Sequence, residues 1–292
     1  MWVSEYLLPR NPFGIDLKSE FLMELARLFT WLPEKRQRHL NDVTQLAYKL
    51  MNLRSQKEQT YPVAGTEQQK QQFLGRLMMA YNVHDIGDVP IMIPETLLRT
   101  PQTDRRRREI QSGDWISYGD YDKEKFDSPI RGHIVLKAIE MVVEHKNVSK
   151  YDMIIEQLKL PDTLKISSSE SKALDIMKRV AFQHHEYYDG KGWPRGIKLD
   201  PFDPVMDITF FDFIAGWFSH KQSRGDHPTT FQASTPAQVL KVINERQEKS
   251  LRRSPSGEPM YNRYWVDFVT DNLHLVDPVV DSIFADVKAI RT

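Results

Sequence analysis

The run His184-His185-Glu186-Tyr187-Tyr188-Asp189-Gly190-Lys191-Gly192-Trp193-Pro194 decides how the rest of the chain is read. Ahead of it, residues 169–185 carry apolar side chains at helical spacing, so the two imidazoles close a helix. After them, an aspartate, two glycines and a proline make a turn whose positions tolerate positive φ. A helix that stops on two imidazoles and enters a tight loop presents both rings at a cleft. One hundred residues before His184, His84-Asp85 forms a second adjacent pair. Imidazoles and ionised carboxylates are the ligands that iron, manganese and zinc accept. Two pairs so distant in the chain share an ion only when a folded scaffold brings them together.

That scaffold reads as helical. Residues 18–31 place apolar side chains at helical spacing and Pro33 follows as a break, which predicts a helical extension over 1–33 ahead of one domain over 34–292. Residues 34–54 repeat the pattern through Val43, Leu46, Ala47, Leu50 and Leu53. Thr66-Glu67-Gln68-Gln69 opens like a helix cap, and Phe73, Leu74, Leu77, Met78 and Tyr81 carry the period to His84-Asp85, on or just after the helix. Further helical patterns run over 130–143, 235–249, 260–275 and 277–290, and residues 205–218 form a markedly apolar stretch interrupted by Asp212. Between Pro90 and Asp127, prolines and the run Arg105 to Arg108 predict connecting segments, the arginines forming a solvated face rather than a phosphate clamp. Period-two alternation is scarce and no internal repeat is visible, so the predicted fold class is all-α.

At 292 residues the chain has ample length to bury a site. Lysine plus arginine and aspartate plus glutamate stand at forty each, so no global field draws it to DNA or to an anionic membrane. Phosphate recognition therefore has to be local. The absence of cysteine excludes disulfides, zinc ribbons, iron–sulfur ligation and thiol nucleophiles. The N-terminus lacks a basic n-region, and no run approaches the roughly twenty apolar residues of a spanning helix, so a cytoplasmic location is expected.

Adjacent residues on a helix point about a hundred degrees apart, so His84 and Asp85 reach one ion only near a helix end or groove. Gly87 and Pro90 suit a helix that stops there. Asp212 lies in an apolar stretch, Ile208-Thr209-Phe210-Phe211 before it and Phe213-Ile214-Ala215-Gly216-Trp217-Phe218 after it. An ionised carboxylate in that setting needs a cation or strong hydrogen bonds to offset desolvation; a metal is weighed against a buried arginine. His145, His220, His227 and His274 have no ligand-like company and read as ordinary surface or core residues.

The loop at 184–194 resembles the signature of the HD-GYP family, bacterial hydrolases that open cyclic dinucleotides such as cyclic di-GMP and are built on the all-helical HD phosphohydrolase fold. The likeness covers most of the chain, from residue 35 to 285. His39-Leu40-Asn41-Asp42-Val43 is similar to the family's opening helix, whose leading His is a metal ligand. His84-Asp85-Ile86-Gly87 is similar to the HD motif, and Asp212 falls where the family places its last metal-binding carboxylate. The resemblance implies an HD-domain helical bundle holding one or two divalent transition metal ions, iron, manganese or zinc. One ion would take His39, His84, Asp85 and Asp212; the other would take His184 and His185, with Asp85 as a bridge. His84 and Asp85 are then the implied catalytic pair. Water activated by the ions attacks phosphorus in line while the ions neutralise charge on the phosphoryl oxygens, and Glu186 is not expected to act as base.

The sequence also departs from the family. Asp88 stands where the family has a lysine that contacts substrate phosphate; opposite unit charges near a surface interact by ~4 kcal/mol at ~4 Å, so the reversal costs affinity. Ser128-Pro129-Ile130-Arg131-Gly132 follows a His-Pro-x-x-Gly pattern with serine in place of a ligand, and His133 is weighed as a substitute against a plain helical histidine. Trp193 replaces a tyrosine, keeping the aromatic surface without the hydroxyl. Beyond Asp212 the family's phosphate contacts give way to Ala215-Gly216-Trp217-Phe218. One firm and one weak metal site are expected. Lys191, Trp193, Asp88 and Ser128 are the candidate substrate-facing positions, Lys191 doubling as a solvated turn lysine. The expected substrate is a cyclic dinucleotide or related phosphate ester. The rival reading is a degenerate module that binds metal and nucleotide, or docks a signalling protein, without efficient turnover; a third is a nucleotide phosphomonoesterase on the wider HD fold. The N-terminal extension suits a linker helix to a partner or a homodimer contact.

Overall fold

The computed structural model of the chain describes residues 19–112, 123–146, 149–219, 235–253 and 259–289. Twelve α-helices and three short 3-10 turns organise them, with no strand among the described residues, so the chain is all-α. Helix α1 (Glu20–Phe29) starts on Ser19, whose Oγ accepts the Leu22 N–H at 3.2 Å. Its apolar stripe of Phe21, Leu22, Leu25, Leu28 and Phe29 is buried in the same hydrophobic core as the rest of the chain. Burying side chains of this kind contributes about 1.5–3 kcal/mol each. Helix α2 (Glu34–Lys57) follows Pro33 and buries His39 in line with Leu40, Val43, Leu46, Ala47 and Leu50. Helix α3 (Glu67–Asn82) opens on the reciprocal capping box of Thr66 and Gln69 that the sequence predicts, and ends just short of His84-Asp85. A 3-10 turn, Ile86–Asp88, follows at once.

The segment between Pro90 and Asp127 differs from expectation. It holds a short helix, α4 (Glu95–Leu98), and a longer one, α5 (Pro101–Gln111). Helix α5 is set by its cap rather than by periodicity: Thr100 Oγ1 accepts the Thr103 N–H at 3.2 Å and Pro101 occupies the first turn. The arginine run divides, with Arg105 and Arg108 exposed and Arg106 and Arg107 buried. Arg107 pairs with Asp127 at 2.7 Å and with Asp104 at 2.9 Å. The expected solvated face therefore holds for two of the four.

The remaining helices are α6 (Lys123–Val143), α7 (Asp152–Leu158), α8 (Ser168–Gln183), α9 (Ile208–Ser219), α10 (Pro236–Arg253), α11 (Arg263–Asp271) and α12 (Leu273–Ala289). Helix α8 packs on both α3 and α6, and α2 packs on α3, α9 and α12. The 3-10 turn after α3 lies tight against α6: a Cβ at Gly87 would come within 2.3 Å of the Ser128 carbonyl oxygen and 2.5 Å of the Gly132 nitrogen. Gly87 thus serves a close backbone approach, beyond its expected role of ending a helix. No helix among the described residues is long and apolar enough to cross a membrane.

Candidate metal centre

Four elements each deliver part of one polar cluster. Helix α2 carries His39, the end of α3 releases His84 and Asp85, His184 caps the C-terminus of α8 with His185 following, and α9 carries Asp212. The contacts of α2 with α3 and α9, and of α3 with α8, bring all six to one place.

His84 is fully buried and its Nδ1 lies 2.7 Å from the Tyr81 carbonyl, which places the ring proton there and turns Nε2 inward. His184 repeats the arrangement, with Nδ1 at 3.0 Å from the Ala181 carbonyl. Both Nε2 atoms are buried and make no hydrogen bond. They flank a single carboxylate: His84 Nε2 stands 3.4 Å from Asp85 Oδ2 and His184 Nε2 stands 3.2 Å from Asp85 Oδ1. His39 Nε2 lies 2.9 Å from Asp212 Oδ1, which is also 3.7 Å from His84 Nε2. His39, His84 and Asp85 form one group able to hold a metal ion, and Asp85, His184 and His185 form a second; within each, the ligand atoms lie within 4.8 Å of one another. An unsatisfied buried polar atom costs about 1–3 kcal/mol, and two of them facing one carboxylate make an arrangement that a cation relieves. The donor set, imidazole and carboxylate, suits the intermediate divalent metals.

Electrostatics agree with that geometry. Burial works to raise the Asp85 carboxyl, but Arg36, then His84 and His184, outweigh it and hold Asp85 well below the usual carboxylate range. Asp212 is likewise held low against its burial by the neighbouring imidazoles of His39 and His84. Burial, followed by His184, pushes His185 down to about 3, so its ring is neutral. Trp193 stacks on His185 with centroids 4.6 Å apart and planes at 22°, which fixes the orientation of that imidazole.

Sequence reasoning missed Arg36. It lies three residues, nearly one turn, before His39 on α2, and its Nη1 reaches Asp85 Oδ2 at 2.6 Å while Nε reaches Asp88 Oδ2 at 2.7 Å. Ser128 Oγ donates to the other oxygen of Asp88 at 2.8 Å. Ser128 and Asp88 thus form a chain that steadies a guanidinium against Asp85. The negative charge at position 88 does not face the centre alone, and its partner Arg36 is brought to it by tertiary packing, with no local sequence signal to mark it.

Glu186 and Arg106 shape the loop. Glu186 is fully buried and accepts the backbone N–H groups of Arg195 (2.6 Å), Gly196 (3.2 Å) and Ile197 (3.0 Å). It closes the loop on itself. Arg106, from the run on α5, donates to the carbonyls of Gly192, at 2.8 Å, and Lys191. A Cβ at Gly192 would fall 2.3 Å from both Glu186 Cα and the His185 carbonyl oxygen, so the fold admits only glycine. The Lys191 N–H donates to Asp189 Oδ1 at 2.9 Å. His133 is placed elsewhere, with Nδ1 3.3 Å from the Lys178 carbonyl and its ring 5.0 Å from Phe182. His145 and His274 are exposed; His220 and His227 lie outside the described residues, as does the side chain of Trp217. Comparison with known proteins gives no match: no family model, no curated protein and no solved structure aligns with the chain.

Proposed function

We propose that the chain is a metal-dependent phosphodiesterase built as an HD-type helical domain, with a cyclic dinucleotide as substrate. The observation that carries this reading is the pair of buried, unbonded Nε2 atoms of His84 and His184 on either side of the Asp85 carboxylate. Divalent cations in such a place lower the pKa of a coordinated water and neutralise charge on phosphoryl oxygens. The chain's own residues have distinct tasks. Asp85 offers one oxygen to each group, His39 completes the side nearer α2 and α9 with Asp212 against its Nε2, and His185 completes the other. The Tyr81 and Ala181 carbonyls hold the imidazoles in the tautomer that leaves Nε2 free to coordinate. Arg36 is part-exposed. It supplies a cation for a substrate phosphate beside the centre, from α2 rather than from position 88.

The test is hydrolysis of cyclic di-GMP and of a chromogenic phosphodiester by the purified chain with added manganese or iron. Turnover that disappears in Asp85→Ala supports the reading; release of inorganic phosphate from a mononucleotide, with no diester cleavage, replaces it with a phosphomonoesterase. A second reading is favoured by one observation, the Arg36 guanidinium on Asp85 Oδ2. If that pair persists with metal present, the domain is a nucleotide-binding module, and tight binding of cyclic di-GMP without turnover identifies it.

A further inference from the structure

A cavity of about 590 Å³ lies apart from the centre, and none of His39, His84, Asp85, His184, His185 or Asp212 lines it. One wall is a stripe of α8, Asp175, Lys178, Arg179 and Phe182, turned about a hundred degrees from the Leu174, Met177 and Ala181 stripe that enters the core. The facing wall includes His133, Lys150, Tyr151 and Arg195. The volume lies within the usual range for a small-molecule site.

Five cations line the cavity and one acid, Asp175. Three of the five are neutralised: Arg99 by Glu95 and Asp104, Lys178 by Glu140 and Asp175, and Arg179 by Asp203. Lys150 and Arg195 pair with no carboxylate among the described residues. Each rests instead on an aromatic ring, Lys150 Nζ 5.3 Å from the Tyr151 centroid and Arg195 Cζ 5.3 Å from that of Phe182. Arg195 also donates through Nε to Gln102 Oε1 at 3.0 Å, which leaves its Nη groups for a ligand. His133 has its Nδ1 on the Lys178 carbonyl, so Nε2 remains as an acceptor, and burial lowers its pKa, which keeps the ring neutral.

We infer that this cavity is a second binding site, for an aromatic phosphate monoester of nucleoside monophosphate size. Lys150 and Arg195 take the phosphate, Phe182 and Tyr151 take the ring, and His133 Nε2 accepts a ring N–H. Charge-assisted hydrogen bonds to phosphate are stronger than a partly solvated cation–π contact. A phosphate therefore draws both cations off their rings and opens the ring faces for stacking. Gln183, which lines the cavity, precedes His184, and the Arg195 backbone N–H is held by Glu186, so a ligand here adjoins the loop that carries His185.

The experiment is calorimetric titration of the full chain, with chelator present, by the four ribonucleoside 5′-monophosphates, their nucleosides and inorganic phosphate. The expected result is saturable binding of at least one monophosphate, with its nucleoside and inorganic phosphate each weaker by about tenfold or more. Lys150→Ala and Arg195→Ala each weaken binding by about tenfold or more, the loss of one charge-assisted hydrogen bond, and His39→Ala leaves it unchanged. Lys150 is exposed and belongs to the turn Ser149–Tyr151 rather than to the loop, so its variant reports on the phosphate contact even where Arg195→Ala disturbs the loop. No saturable binding, binding lost in His39→Ala, affinity indifferent to Lys150→Ala, or equal affinity for inorganic phosphate overturns the assignment. None of these outcomes depends on metal or turnover at the other centre.

Discussion

Replacing Arg36 with alanine separates the metal-free chain from the metal-loaded one. The guanidinium balances an Asp85 side chain that is 6% exposed, while Arg36 itself is 31% exposed. Removing one partner of a fully buried pair costs about 3–5 kcal/mol, and an exposed pair is worth about 0–1. With one partner buried and the other a third exposed, the Asp85 contact falls between these limits, at about 2 kcal/mol. The contact to Asp88, which is 26% exposed, adds at most about 1 kcal/mol. A bound divalent ion takes over the balancing of Asp85, so in its presence the loss shrinks toward that of the surface pair alone. Urea unfolding of Arg36→Ala and the parent chain, with chelator and again with saturating manganese, measures both numbers as midpoint shifts at constant slope. Arg36→Lys keeps the charge without the two-pronged geometry and falls between. A loss below about 0.5 kcal/mol in chelator, or an equal loss with and without manganese, refutes the role given to Arg36.

Three further outcomes follow from particular residues. Glu186→Gln turns one acceptor oxygen into an N–H donor that faces another donor, costing about 1–3 kcal/mol; hydrogen exchange at Arg195, Gly196 and Ile197 accelerates, and unchanged exchange contradicts the clamp. Asp207 is a buried carboxyl that accepts from Tyr61 at 2.8 Å and Asn262 at 2.9 Å, and burial pushes its pKa from 3.8 to about 7. Between those pH values the folded chain keeps a proton that the unfolded chain has released, so this group makes stability fall as pH rises through the window and leaves it level above, with a slope of up to about 1.4 kcal/mol per pH unit. Asp207→Asn removes that contribution, and identical pH profiles for the two proteins count against it. Gly87→Ala forces a Cβ onto the α6 backbone and costs about 1–3 kcal/mol by thermal unfolding, with no change in midpoint as the contrary result.

Much of the helical scaffold was legible because burial leaves a period. The stripe of α1, the Thr66 cap of α3 and the imidazole that ends α8 are local features, and each is found where its sequence predicts. Helix α5 was not legible in this way, since arginines obscure any apolar stripe and only Thr100-Pro101 marks its start. His84-Asp85 and His184-His185 were singled out by residue type, Asp212 by its apolar neighbours and His39 by resemblance to a family's opening helix, and nothing in their spacing gives a distance. Their meeting comes from the packing of α2, α3, α8 and α9. Arg36 carries no mark in the sequence; the approach of Asp85, forty-nine residues on, and of Asp88 gives it its partners. Glu186 looks like a third member of the His pair, yet its partners arrive nine to eleven residues later, when the loop returns. In both cases the role belongs to tertiary proximity, which composition and period do not encode.

Titration of the metal-stripped chain with manganese, iron and zinc, followed by elemental analysis after dialysis, asks whether these side chains hold an ion. Convergence of the six side chains predicts saturable uptake of one or two ions per chain, with affinity reduced by about tenfold or more in His84→Ala and in Asp85→Ala. It also predicts a gain in stability of about 2.7 kcal/mol at a free metal concentration one hundred times Kd. A chain that takes up no metal under these conditions, or whose uptake is indifferent to both substitutions, contradicts a metal centre at this place.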